Sequence, residues 1–179
     1  MKDNNSIHQA IDRIHELGNV ETGRGPKHPT SPNPQLASEI ADFIDKYSFL
    51  KKDQSYVEFL ECYAGLLLYR DNDFMSLGIY GFDDDVSLHL VKGEGELIDE
   101  AGMLTFADLT LPLQEGDKRA DNLIGTGFAF DATQQRPWGV YRCINNQPYH
   151  WYCGTFLEWL EKLANQKGRL LEDPTPLLR

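Results

Sequence analysis

The chain has 179 residues, enough for one domain that buries most of its apolar surface without disulfide or metal staples. Its 28 acidic against 17 basic residues give a formal net charge of −11, a surface that repels polyanions such as nucleic acid and attracts basic partners. No apolar run is long enough to span a membrane, and the polar opening residues lack the apolar stretch of a signal peptide, so a cytoplasmic location is expected. Three cysteines (Cys62, Cys143, Cys153), one of them on a predicted helix, read as reduced thiols rather than as a disulfide framework.

Ser6 and Gln9 form a capping-box pair, and Ile7, Ala10, Ile11, Ile14 and Leu17 make one helical stripe that ends at Gly18. Residues 19–33 hold three prolines, two glycines and few apolar side chains, which predicts a flexible loop. Pro34, preceded by Asn33 as cap, opens a second helix whose apolar face is Leu36, Ile40, Phe43, Ile44 and Tyr47.

Residues 55–82 form the centre of the chain. Tyr56, Phe59, Leu60, Tyr63 and Leu67 recur at offsets of three and four, with Glu58 and Glu61 opposite. Ser55 followed by Glu58 predicts a capping box at the start of this helix, and Gly65 predicts its stop. Beyond it, residues 66–69 and 74–80 read as two strands around the turn 70–73.

Val86, Leu88 and Leu90 alternate as in a half-buried strand, followed by a turn at residues 93–96. Residues 103–106 and 109–113 read as two short strands, with Pro112 arguing for a sheet edge, and 114–122 as polar loop. Further strands are predicted at 123–130, 138–144 and 149–152, with a turn at 133–137. Thr155, with Glu158 three residues on, starts a last helix that buries Phe156, Trp159, Leu160 and Leu163 and stops by Gly168. A short tail, about 168–179, follows. Helices before and after a run of strands predict an α+β domain with a largely antiparallel sheet, spanning residues 1–179.

The helix carrying Tyr56, Phe59 and Leu60, the break at Ala64 and Gly65, and strands ending near Ile79, Tyr80, Gly81 and Phe82 resemble the SUKH superfamily. That superfamily groups the fungal cell-wall-assembly regulator with bacterial immunity proteins. Phe128, Ala129, Phe130 and Asp131, then the aromatic helix from Thr155 to Leu160, continue the likeness over about two thirds of the chain. Residues 93–121 fall outside it. The resemblance implies a sheet with helices packed against it, no cofactor, and a protein-binding role. In a bacterial immunity protein that role is to neutralise a toxin domain, often a nuclease, by occluding it. In the alternative, a regulatory or scaffolding module binds a cellular protein.

Chemistry is sparse. His150 and Cys153 have a ligand-like spacing with Cys143 ten residues earlier, but a structural zinc site needs four closed ligands, and core packing accounts for these residues better. The acidic turns at 71–73 and 83–85 lack the glycine and glutamate of a calcium loop. No nucleophile elbow or histidine motif occurs, and Gly125, Thr126 and Gly127 run into a strand rather than opening a phosphate-binding helix. The expectation is therefore a non-enzymatic domain without metal, cofactor or small-molecule substrate. The aromatics Trp138, Tyr141, Tyr149, Trp151 and Tyr152 are expected mainly to pack the sheet.

Charge is the remaining signal. Residues 83–121 hold eleven acidic and three basic residues, a net of −8. Asp83, Asp84, Asp85, Glu94, Glu96, Asp99 and Glu100 are the residues expected to face a basic protein partner, carried on loops of a rigid scaffold.

Overall fold

The computed structural model describes residues 6–70, 75–82, 97–112 and 123–167. Helix α1 (Ile7–His15) starts at a complete capping box. Ser6 Oγ accepts the Gln9 N–H at 3.4 Å and Gln9 Oε1 accepts the Ser6 N–H at 3.2 Å, while Ile7, Ala10, Ile11 and Ile14 face the core. Seven strands follow: β1 (Asn19–Thr22), β2 (Leu66–Arg70), β3 (Met75–Ile79), β4 (Met103–Pro112), β5 (Leu123–Asp131), β6 (Val140–Ile144) and β7 (His150–Cys153). They lie side by side in chain order, each antiparallel to its neighbours. Helices α2 (Ala37–Lys46) and α3 (Gln54–Tyr63) intervene between β1 and β2, and α4 (Phe156–Asn165) follows β7. This is an α+β architecture.

The period-two rule divides the sheet into unlike faces. Leu66, Leu68, Leu77, Ile79, Leu104, Phe106, Leu109, Phe128 and Phe130 point to one side, where all four helices join them in a continuous core. Phe106 is at its centre, stacked on Phe130 at 4.6 Å and edge-on to Trp159 at 5.1 Å. On the opposite face Met103, Ala129 and Tyr141 form a small separate cluster to which no helix among the described residues contributes.

The aromatic helix starts differently from the expectation. Its cap is Asp53, whose Oδ1 accepts the Tyr56 N–H at 3.2 Å; Ser55 lies inside the first turn and donates to the same oxygen at 2.5 Å. Asp53 wins because its carboxylate also serves α4: Oδ2 accepts the Phe156 N–H at 2.7 Å. Ser55 Oγ then accepts from Leu157 N at 3.0 Å and Thr155 Oγ1 from Glu158 N at 3.1 Å. The first three N–H groups of α4, which have no intrahelical partner, are thus each met by a side chain, two of them from another helix.

The stop of α3 also moves by one residue. Ala64, not Gly65, takes the left-handed position, at φ 54°. Gly81 permits this crossing: a Cβ there would stand 1.5 Å from the Ala64 carbonyl oxygen. Within the expected loop 19–33, residues 19–22 form β1, because Val20 reaches the core opposite Leu68. The next residues close the end of α3. Gly25 N donates to Cys62 O at 3.2 Å and Lys27 N to Glu61 O at 2.8 Å, satisfying carbonyls that a helix end leaves open.

Asn33 caps one 3-10 turn, Pro34–Leu36, that leads directly into α2. The two strands expected at 103–113 are one ten-residue strand, irregular between Thr105 and Ala107. Pro112 is its last described residue; β4 pairs with β3 on one side and with β5 on the other, so the proline does not place it at an edge. The strand expected at 86–90, the turns at 70–73 and 93–96, and the tail fall wholly or partly outside the described residues.

Candidate functional site

The helix-free face carries residue types that strands ordinarily avoid. Register places Gly78, Asp108, Gly127 and Cys143 in one row across β3, β4, β5 and β6. The adjoining row is Ser76, Thr110 and Gly125. A glycine inside a strand costs roughly 0.5–1 kcal/mol relative to alanine, and aspartate is disfavoured there as well. Glycine in such a position commonly marks close approach of a ligand or a second backbone. Among the described residues a β-carbon on Gly125 would meet nothing within 4 Å, so the space above it is open there.

Asp108, Thr110, Gly125, Gly127 and Cys143 of these rows line a shallow groove of about 510 Å3. Its floor is Gly125 and Gly127. Asn145 closes one end, exchanging hydrogen bonds with Gly125 (Gly125 N to Asn145 Oδ1, 3.1 Å; Asn145 N to Gly125 O, 2.8 Å). At the other end Tyr149 donates to Asp99 Oδ2 at 3.0 Å and lies 3.3 Å from the Thr105 hydroxyl. Burial, offset by the Thr105 hydrogen bond and reinforced by Asp99, holds the Tyr149 phenol up at about 12. The Asp108 carboxyl is raised above the usual carboxylate range by desolvation. Although solvent reaches it, Asp108 makes no hydrogen bond or ion pair among the described residues.

Of the residues expected to face a partner, Asp99 and Glu100 are described, both exposed in the turn before β4. Asp99 is structural in part: besides Tyr149 it receives the Met103 N–H at 2.9 Å, which brings it to the margin of the groove. Asp83, Asp84, Asp85, Glu94 and Glu96 lie outside the described residues. The groove itself escaped the sequence reading. Asp108 between apolar strand residues, and Gly-Thr-Gly inside a strand, are the signals that could have found it.

The aromatic group divides. Trp138 stacks on Phe130 at 5.2 Å and Tyr152 packs on Phe128 at 5.8 Å, whereas Trp151 on edge strand β7 is 55% exposed. Tyr69 on β2, 41% exposed, is its counterpart toward the other edge of the sheet.

His150, Cys143 and Cys153 do not assemble: His150 is exposed, Cys153 is fully buried, and among the described residues no three His, Cys, Asp or Glu side chains are placed to share a metal. All three thiols are pushed up, chiefly by burial, Cys153 to about 12. A second polar group surrounds Tyr63. His8 Nδ1 lies 2.7 Å from the Tyr63 hydroxyl and its Nε2 3.5 Å from Glu58, with the His28 ring edge-on at 5.6 Å. Burial first, then nearby carboxylates and the Cys62 thiol, hold that phenol up at about 12, so the arrangement keeps a proton on Tyr63 rather than removing it. No protein-family model, curated protein or solved structure matches the chain.

Proposed function

We propose that this chain is a non-enzymatic protein-binding domain for a basic partner, acting as an immunity protein that neutralises a toxin domain by occluding it. The observation that carries the reading is the helix-free sheet face, where Glu21, Asp99 and Asp108 accompany a polar groove between two exposed aromatics, Tyr69 and Trp151. Such a face offers the usual division of labour at an interface. Opposite charge raises the association rate, and exposed aromatic anchors hold the complex once formed.

The resemblance to the SUKH superfamily supports immunity as the biological use, and nuclease toxins need the basic surface that an acidic protein can cover. The acidic run that includes Asp83, Asp84, Asp85, Glu94 and Glu96 adds to the same attraction. The domain works in the cytoplasm, where such a toxin acts.

The test is to purify the chain from its native cells at low salt, identify a co-purifying protein, and add the chain to that protein's own activity assay. Inhibition complete at one-to-one stoichiometry is expected. A partner whose activity is untouched would remove the immunity role, and the absence of any partner would remove the binding role.

A further inference from the structure

The groove has a more specific chemistry than general acidity. In its row, Asp108 has a glycine on each flanking strand, Gly78 on β3 and Gly127 on β5, so neither cross-strand neighbour brings a side chain to it. Cross-strand pairs normally contribute to holding a sheet together, and here both are given up around one carboxylate. That carboxylate is left without a hydrogen bond or ion pair among the described residues, while three other groove side chains are engaged locally. Asn145 is bonded to Gly125, the Cys143 thiol donates to Gln147 O at 2.9 Å, and Tyr149 bonds to Asp99.

We propose that this trough seats one cationic side chain, an arginine or lysine, of the bound protein, with its charged head on Asp108 and its aliphatic stem across Gly127 and Gly125. The stem needs what the floor provides, a strip of backbone without β-carbons on which methylene groups can lie. The head needs an unsatisfied carboxylate, with which a charged donor forms a charge-assisted hydrogen bond. Thr110, beside Gly125 and next but one to Asp108 on β4, supplies a further hydroxyl acceptor for the remaining N–H groups of a guanidinium. A cation also relieves the desolvation that raises the Asp108 carboxyl. The complementary charge identifies the occupant as basic, and the glycine floor identifies it as elongated.

This inference rests on the protein-binding reading above, but its test needs no partner. The full chain, labelled with nitrogen-15, is titrated with N-acetyl-arginine amide and, separately, with the neutral isostere N-acetyl-citrulline amide, following backbone amide resonances. The arginine probe should give saturable shifts at Asp108, Gly125 and Gly127 with a dissociation constant on the order of millimolar, from the charged head and the stem contacts together, since a solvated ion pair alone is far weaker. Asp108→Asn should weaken it at least fivefold without altering the remainder of the spectrum, since the carboxylate holds nothing in the fold. Gly125→Leu should block it sterically.

Shifts of equal size with the citrulline probe, arginine binding unchanged in Asp108→Asn, or no saturable shift in the groove would each overturn the assignment. If the groove ignores the arginine probe while a co-purifying protein still binds, the inference fails and the protein-binding role stands. If the groove takes the probe but no protein co-purifies, the reverse holds.

Discussion

Replacing Asp53 tests how the two halves of the helical layer are joined. The side chain is 2% exposed, and its carboxylate serves the first turns of both α3 and α4. Asp53→Ala removes the N-cap of α3, a loss of about 0.5–2 kcal/mol. It also leaves the buried Phe156 N–H without an acceptor, a further cost of about 1–3 kcal/mol. The sum, about 1.5–5 kcal/mol, is a large share of the roughly 5–15 kcal/mol by which domains are stable. Asp53→Asn should lose about 1–3 kcal/mol, because it keeps one oxygen for Tyr56 while its amide nitrogen meets the Phe156 N–H donor to donor. Urea titrations of the three proteins, followed by far-UV circular dichroism and tryptophan fluorescence, give the differences directly. A loss below about 1 kcal/mol for the alanine variant would refute the shared cap.

Two further outcomes follow from burial and charge. Leu60, fully buried in α3, should cost about 2–5 kcal/mol when replaced by alanine, measured in the same titration; a loss below about 1 kcal/mol would mean that the aromatic helix is not in the core. Asp131 accepts from Thr133 N, Thr133 Oγ1 and Arg136 N, and these bonds, with the Arg136 guanidinium, hold its carboxyl below the usual range although burial alone would raise it. A carboxyl with a depressed folded pKa stabilises the fold at pH above about 4 and loses that contribution as pH falls through the folded value. The stability gap between wild type and Asp131→Asn should therefore shrink below pH 4; a gap that stays constant with pH would contradict the assignment.

Local periodicity exposed most of the fold. The capping box at Ser6, the stripe from Tyr56 to Tyr63 and the cap at Thr155 all occur where their spacing places them, because each depends on residues within one or two turns. What was not legible depends on distant partners. Asp53 became the α3 cap because Phe156, over a hundred residues on, needed an acceptor, and a pattern confined to Ser55 and Glu58 contains no trace of that. Ala64 took the left-handed position because Gly81 passes against its carbonyl. Short β1 has one inward apolar residue, Val20, too little for alternation to register.

The candidate site was half visible for the same reason. Acidic excess is a property of composition, but the trough exists only once Gly78, Asp108 and Gly127 are brought into one row by strand pairing. The sequence places Gly-Thr-Gly in a strand and excludes a phosphate loop; pairing with β4 is what turns its glycines into a floor.

The measurement that tests the account most directly is the affinity of the co-purifying protein for the wild-type chain and for Gly125→Leu. The added side chain meets none of the described residues, while the middle of the helix-free face is obstructed. If that face is the interface, calorimetry should show affinity falling by about tenfold or more, equivalent to at least about 1.4 kcal/mol. Equal affinities, with both proteins folded, would place the interface elsewhere and contradict the account.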